Sequence, residues 1–451
     1  MPKLHQWYQD ATIKIKMELS KHNIISKIKD SDEYFIVNAL SGNADILSEK
    51  TYNDIISGNI ESLEMFEKGY VVNATDETAL YRKKYLAFLD KRDKDEIQLF
   101  FVPNYSCNFD CTYCYQSSYN SEKTSLSTTV IDAFFRYVDL KFSDKRKYIT
   151  LFGGEPLLNS KKQKELLSYF FKKASDRALE IAIVTNGYNV SEFIDILKEA
   201  KIREVQFTLD GTKDFHDKRR FLKGGGGTFE NIVKSIDALM ALKMPINLRM
   251  VVDKDNIGNL PDFAQFVIGK GWTDYPLFKT QMGRNYELHE CQSHNNSLFS
   301  RIELYESTFE LIKKHPHIIK FHQPAFSITR FLFENGEMPQ PLFDACTGTK
   351  TEWAFDYTGH IYACTATVGK EGESLGTFYP EIILNEAQVE EWEGRDVLSI
   401  QDCQSCSVQL ICGGGCAAVA KNHNGCLNSP DCRPVKQLLE LGMGYYSNLE
   451  I

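Results

Sequence analysis

Residues 97–114 read Ile97-Gln98-Leu99-Phe100-Phe101-Val102-Pro103-Asn104-Tyr105-Ser106-Cys107-Asn108-Phe109-Asp110-Cys111-Thr112-Tyr113-Cys114. Ile97–Val102 is a short apolar run suited to a buried strand, and a loop with three cysteines follows it. From this point strands and helices alternate. After a helix near 128–141, strand-like runs at Tyr148–Phe152, Glu180–Val184, Glu204–Leu209 and Ile246–Val252 are followed by helices near 160–175, 190–200, 228–243 and 259–269. A weaker strand near 276–281 precedes a helix near 300–314. Such βα units in series predict an α/β fold with a parallel sheet and outer helices, a partial (β/α)6 TIM-like barrel. Active sites in barrels of this kind lie at the C-terminal ends of the strands, where the cysteine loop falls.

The chain has 451 residues, which suits two or three domains. A formal net charge of -9 gives no general attraction to nucleic acid or to an anionic membrane. No apolar run is long enough for a membrane span, and the N-terminus lacks the apolar stretch of a signal peptide. The expectation is a cytoplasmic protein with neither nucleic-acid nor membrane partners. Twelve cysteines are unlike disulfides in that compartment. Three lie at 107–114 and eight after residue 345, a clustering that points to metal.

Cys107, Cys111 and Cys114 have the spacing C-x3-C-x2-C. Three thiolates on one loop can hold three irons of a cubane and leave the fourth iron open to chelate a small molecule. A zinc site wants four N or S ligands, and no fourth lies nearby in sequence, so a cluster is favoured over zinc. This loop, including the aromatic Tyr113 before the third cysteine, resembles that of the radical S-adenosylmethionine (SAM) superfamily. The resemblance implies a [4Fe–4S] cluster and SAM, cleaved to a 5′-deoxyadenosyl radical that takes hydrogen from a substrate.

Four further motifs carry the resemblance along the chain. Gly153-Gly154-Glu155-Pro156 follows the second strand and resembles the motif that binds the SAM amino group. Thr185-Asn186-Gly187 ends the third strand and Thr208-Leu209-Asp210-Gly211 the fourth, with Thr208 where the family has serine. His216-Asp217-Lys218-Arg219-Arg220 matches an HDxxR pattern, which implies Arg220 rather than Arg219 for the SAM carboxylate. Each motif alone is a turn signal; their order at successive strand ends makes the joint signal. Asp253 and Asn256 continue the pattern without an assigned role, and Gly224–Gly227 reads as a flexible loop.

After about 340 the periodic pattern fades until a short helix near 434–441, and such a segment needs metals or cross-links to hold its shape. Cys403-x2-Cys406-x5-Cys412-x3-Cys416, then Cys432, with Cys346 and Cys364 upstream, resembles the seven-cysteine SPASM domain. That resemblance implies two auxiliary [4Fe–4S] clusters, one on Cys403, Cys406, Cys412 and Cys432 and one on Cys346, Cys364 and Cys416, making three clusters in all. The extra cysteine that family members with a fully ligated cluster of this second kind carry shortly after the first is missing in Thr347–Trp353, which implies an open iron able to bind a substrate thiolate. Cys426 is surplus and could supply a ligand instead; an ordinary buried thiol is the favoured reading for it and for Cys291. Anaerobic sulfatase maturases place a catalytic Asp after the cysteine that corresponds to Cys364, where this chain has Thr365.

Residues 1–95 carry no cysteine and read as a small α+β domain: a strand at Glu33–Leu40, a turn at Ser41-Gly42-Asn43, a returning strand at Ala44–Leu47, and Ser48 capping a helix from Glu49. On the hairpin alone, a structural cap and an edge that takes up an extended peptide near 34–40 are equal readings. Resemblance to leader-recognition regions of peptide-modifying enzymes favours the second. The domains expected are 1–95, a barrel at 96–320 and the cysteine-rich SPASM region at 321–451. The resemblance spans roughly 97–440 and implies a maturase of ribosomally made (RiPP) peptides, with a leader-bearing precursor peptide and a flavodoxin- or ferredoxin-type electron donor as partners. A cysteine thioether is the expected cross-link; a carbon–carbon link or a formylglycine-generating maturase are the alternatives, and a cluster- or zinc-bearing binding protein without turnover is the rival from another class. No residue is singled out as the catalytic acid or base.

Overall fold

The computed structural model describes residues 17–59, 62–119, 125–284 and 297–447. At the N-terminus, β1 (Met17–Leu19) lies beyond a meander of β2 (Asn23–Lys27), β3 (Tyr34–Asn38) and β4 (Asn43–Leu47), and β1 pairs with β5 (Val71–Asn73). The Ser48 hydroxyl accepts from Thr51 N and caps the helix Glu49–Ile56, as its position predicts. The expected exposed edge near 34–40 is corrected. β3 is the middle strand, flanked by β2 and β4, and its backbone is occupied on both sides. Its side chains show why: Phe35 and Val37 enter a core shared with Phe343 and Leu439, while Ile36 packs on Leu47, Ile55 and Tyr70 on the other face. A strand apolar on both faces belongs inside a sheet. Among the described residues β4 pairs on one side only.

A helix at Ala74–Arg92, capped by Asn73, leaves this domain for the C-terminal region. Tyr81 donates to Gln409 Oε1 at 2.9 Å and Tyr85 to Asp396 Oδ2 at 2.7 Å, and both rings meet Phe343 edge-on.

The barrel strands follow in chain order and are all parallel: β6 (Ile97–Val102), β7 (Lys147–Leu151), β8 (Ile181–Val184), β9 (Ile202–Thr208), β10 (Ile246–Val252) and β11 (Phe278–Arg284). Helices Thr128–Lys141, Lys161–Ser175, Ile194–Lys198, Phe229–Ala241 and Leu260–Gly269 cover the outside, with Arg301–Lys314 after β11. Phe101, Phe134 and Phe170 pack with ring centroids 4.7–5.8 Å apart at the β6 side of this layer, in tilted and stacked pairs.

The region after 340 is richer in strands than its pattern suggests. β12 (Glu352–Asp356) pairs parallel with β6 at the open edge, and β13 (His360–Tyr362), β14 (Gly376–Thr377) and β15 (Ile383–Leu384) extend the sheet antiparallel to ten strands. The barrel sheet therefore runs on into the cysteine-rich region. No helix among the described residues is long and apolar enough to cross a membrane.

Candidate functional site

The cysteine loop leaves β6 and is fastened on two sides. Asp110 N donates to Phe221 O (2.9 Å), Thr112 N to Arg219 O (3.0 Å) and Lys223 N to Asn108 O (2.9 Å). On the other side Glu155 N donates to Ser106 O at 2.8 Å. The two glycines before Glu155 are there for room. A Cβ on Gly154 would sit 2.2 Å from Ser106 O, and Gly153, at φ 139°, would bring one 2.7 Å from Asn104 O. Asn186 Nδ2 donates to Asn108 Oδ1 (2.8 Å) and reaches Cys107 Sγ (3.7 Å).

Burial pushes the Cys107 thiol up, and Cys111 up to about 12, although Arg220 beside Cys111 opposes the shift; Cys114 is an electrostatic neighbour of both. Sheltered thiols such as Cys107 and Cys111 that resist losing a proton in isolation suit a centre whose positive charge replaces those protons. The residues present therefore fit an iron–sulfur cluster.

Tyr113, Gly153, Gly154, Thr185, Asn186, Thr208 and Arg220 line a cavity of 650 Å³ at the strand ends, together with the three cysteines. Glu155, Pro156 and Asp210 do not line it but stand behind it. The Glu155 carboxylate accepts from Thr185 Oγ1 (2.7 Å), Asn186 N (2.6 Å) and Leu157 N (2.8 Å), so it ties the second strand-end motif to the third. Burial lifts its pKa to about 6 even against these donors. Asp210 accepts from Tyr113 Oη (2.6 Å) and Val251 N (3.0 Å), and so aims Tyr113. Asn256 holds the Asp210 carbonyl at 2.9 Å, which gives that residue a place sequence left open.

Of the paired arginines, Arg219 forms ion pairs with Asp210 (3.4 Å) and Asp253 (2.9 Å), while Arg220 reaches the cavity and donates to Tyr113 Oη (2.7 Å). His216 Nδ1 accepts from Asp210 N (3.2 Å), so Nε2 carries the proton toward Thr228 Oγ1 (3.0 Å). Burial holds this imidazole well below its usual pKa, hence neutral. Asp217 Oδ1 accepts from Thr228 N and Phe229 N, and Gly227 makes room for it: a Cβ there would lie 2.3 Å from Asp217 Oδ2.

The remaining cysteines fall into two neighbourhoods. Cys364 is buried, which raises its pKa well above normal, with Cys346 and Cys416 close enough to add to the shift. Cys403 is held up to about 11 by burial, then by Cys412, Cys406 and Cys432. These neighbourhoods coincide with the two groups that the SPASM resemblance implies. Among the described residues no three His, Cys, Asp or Glu side chains are arranged around a single metal ion's position, so these are groupings of thiols and not a formed ion site. Cys426 is exposed, which corrects its reading as a buried thiol; it sits in the turn after the helix Ala417–Asn424. Cys291 lies outside the described residues.

Sequence reasoning missed Arg395. It is fully buried and donates to the carbonyls of Leu427 (2.8 Å), Gly415 (3.2 Å), Gly414 (2.8 Å) and Ser429 (2.9 Å). It thereby sets the loops that carry Cys412, Cys416 and Cys432. Asp431 adds to the frame by accepting from Cys416 N (3.0 Å) and pairing with Arg301 (2.6 Å). Sequence reasoning also missed the polar inner wall of the barrel: Gln98, Thr150, Gln206, Asn247, Arg249 and Gln281. The signal was present, since polar residues alternate along strands that are otherwise apolar.

Residues 101–267 match the family model of the radical SAM superfamily. The chain is 23% identical over 427 residues to the radical SAM cyclopropyl synthase TigE of Paramaledivibacter caminithermalis, covering 88% of this chain and 85% of that protein. It is 30% identical over 169 residues to a cysteine-type anaerobic sulfatase-maturating enzyme of Clostridium novyi, covering 36% of this chain and 45% of that one. Among solved structures, anSMEcpe with bound AdoMet and Cp18Cys peptide superposes with a TM-score of 0.60 at 17% identity, over 78% of this chain and 99% of that chain. Streptococcus suis SuiB bound to its precursor peptide SuiA gives 0.51 at 14%, over 90% and 97%. These likenesses carry the fold. The stretch that matches the family model starts in β6, ends in the helix Leu260–Gly269 and holds the cysteine loop with the strand-end motifs around the cavity, so residues 101–267 are a radical SAM domain.

Proposed function

We propose that the chain matures a ribosomally made peptide by joining two of its residues. A [4Fe–4S] cluster on Cys107, Cys111 and Cys114, with SAM in the adjoining cavity, supplies when bound the one-electron chemistry that takes hydrogen from an unactivated C–H bond. The chain's own residues orient that chemistry. Arg220 offers a guanidinium fork to the SAM carboxylate; the backbone at Gly153–Gly154 allows close approach to its amino group; Thr208 and Asn186 stand on the same wall.

The observation that carries the reading is one wall shared by two centres: Thr365 and Ala366, next to Cys364, line the same cavity as the cysteine loop. A substrate there lies against the cysteine loop and against the two residues that follow Cys364; for Cys346, Cys364 and Cys416 we propose an auxiliary [4Fe–4S] cluster with an open iron. Cys403, Cys406, Cys412 and Cys432 would hold a third. Thr365 is no carboxylate, which disfavours formylglycine formation. Peptide recognition has a surface to use: among the described residues β4 has an open edge beside a 390 Å³ groove lined by Asp45, Leu47, Ile55, Met65 and Tyr70, and Ile46, Ile56, Leu63 and Phe66 are exposed around it.

A thioether from a peptide cysteine is the first reading for the bond, because three cysteines leave one iron of the auxiliary cluster unclaimed. A carbon–carbon bond is the second, supported by the match to a cyclopropyl synthase along 88% of this chain. The test is the mass of a candidate cysteine-containing precursor peptide after incubation with reduced, reconstituted enzyme and SAM. A loss of about two mass units is expected. An unalkylatable cysteine then means a thioether; a free cysteine means a carbon–carbon bond. An unchanged peptide despite 5′-deoxyadenosine formation contradicts cross-linking.

A further inference from the structure

Five cations line the cavity: Arg203, Arg220, Arg249, Lys279 and Arg284. Four have partners. Arg203 pairs with Glu96 (2.8 Å) and Glu180 (3.1 Å), Lys279 pairs with Glu204, Arg220 donates to Tyr113, and Arg284 donates to the Phe299 carbonyl. Arg249 differs: no hydrogen bond or ion pair of its guanidinium is found among the described residues, while a buried Nε without an acceptor is a feature it shares with Arg220. The strand register sets it between Thr208 on β9 and Gln281 on β11, so it stands at the level of the strand-end motifs. Gly283 on β11 leaves it space, since a Cβ there would lie 3.1 Å from both Nε and Nη2. On the same inner face, two residues before Arg249, Asn247 also keeps its Oδ1 unpartnered.

A sheltered cation with no counter-charge is costly unless an anion arrives. The guanidinium is a planar fork that matches a carboxylate with two parallel hydrogen bonds. We infer that Arg249 binds a carboxylate of the substrate, an Asp or Glu side chain or a C-terminus, and so selects which residue faces the SAM site. The peptide origin of that carboxylate rests on the proposed function; the carboxylate chemistry does not. The SAM carboxylate is the other source, but Arg220 serves it better, because it neighbours Cys111 and is fixed by Tyr113 on the cysteine loop. Arg249 is a specificity and positioning residue in this account.

The test is calorimetric titration of the reconstituted, SAM-saturated enzyme with two probes, N-acetylglutamate methylamide and its glutamine isostere. Wild type is expected to prefer the glutamate probe at least about tenfold. Arg249→Gln should abolish the preference, and Arg249→Lys, which keeps the charge, should retain part of it. Equal binding of the two probes to wild type, or an undiminished preference in Arg249→Gln, overturns the inference. So does a SAM affinity that falls by the same factor in Arg249→Gln, which would assign the guanidinium to SAM. A glutamate preference in a wild-type enzyme that modifies no peptide upholds the carboxylate site and sinks the peptide reading alone.

Discussion

Gly154 shows how closely the site depends on single atoms. Its missing Cβ is what lets the loop after β7 lie against Ser106 O at the start of the cysteine loop. Gly154→Ala must push two backbone segments apart, and overpacking of this kind costs about 1–3 kcal/mol. The expected outcome is a lower urea midpoint and weaker SAM binding, checked by denaturation and by equilibrium dialysis; unchanged values for both would remove the steric argument. Residues of this class were legible only through the order of the motifs at successive strand ends, because a glycine pair alone is a turn signal. That Arg220 and not Arg219 lines the cavity agrees with the HDxxR spacing, and the ion pairs of Arg219 with Asp210 and Asp253 give the physical reason for its place. The alternation along β10 carried a signal for the inward place of Arg249, but its lack of a partner was not legible, because that is a property of space and not of sequence.

Elements differ in how much their neighbours decide. The strands β6 and β10 match the apolar runs residue for residue, since each is a complete buried unit bounded by turns. β12 escaped because five residues between cysteine turns show no period, and its place beside β6 is a long-range pairing. β3 was found as a strand but not as a middle strand, since the short run Asn23–Lys27 that covers it carries little pattern of its own. His22, just before β2, illustrates a cost of that packing. Its ring stacks on Tyr81 at 5.5 Å with neither nitrogen hydrogen-bonded, and burial, with Lys21 beside it, lowers its pKa to about 4. The unfolded chain therefore takes up a proton near pH 6.5 that the folded chain refuses until about 4. Its contribution is unaffected above the unfolded pKa, and stability is lost as pH falls from 6.5 to 4, by roughly 3 kcal/mol in all. His22→Phe should flatten this part of the acid-denaturation curve. An identical pH dependence in the variant would mean that His22 is protonated in the folded protein.

At the scale of the whole molecule, one sheet joins the barrel to the cysteine-rich region, and the helix Ala74–Arg92 joins that region to the N-terminal domain. Reconstituted protein should hold about twelve irons per chain, four for each cysteine group. Arg395→Met leaves three buried carbonyls and a half-buried one without their donor, at on the order of 1–3 kcal/mol for each buried one. It should drop the iron count toward about four while the Cys107 group keeps its share, by iron assay and electron paramagnetic resonance. A count still near twelve would show that the arginine frame is dispensable. The central claim, that this enzyme takes hydrogen from a peptide, is tested most directly by isotope transfer. The precursor peptide, deuterated at carbon, is turned over with reduced enzyme and unlabelled SAM, and the 5′-deoxyadenosine is weighed. The account predicts one deuterium in the nucleoside for each peptide modified; a modified peptide with unlabelled 5′-deoxyadenosine would contradict it.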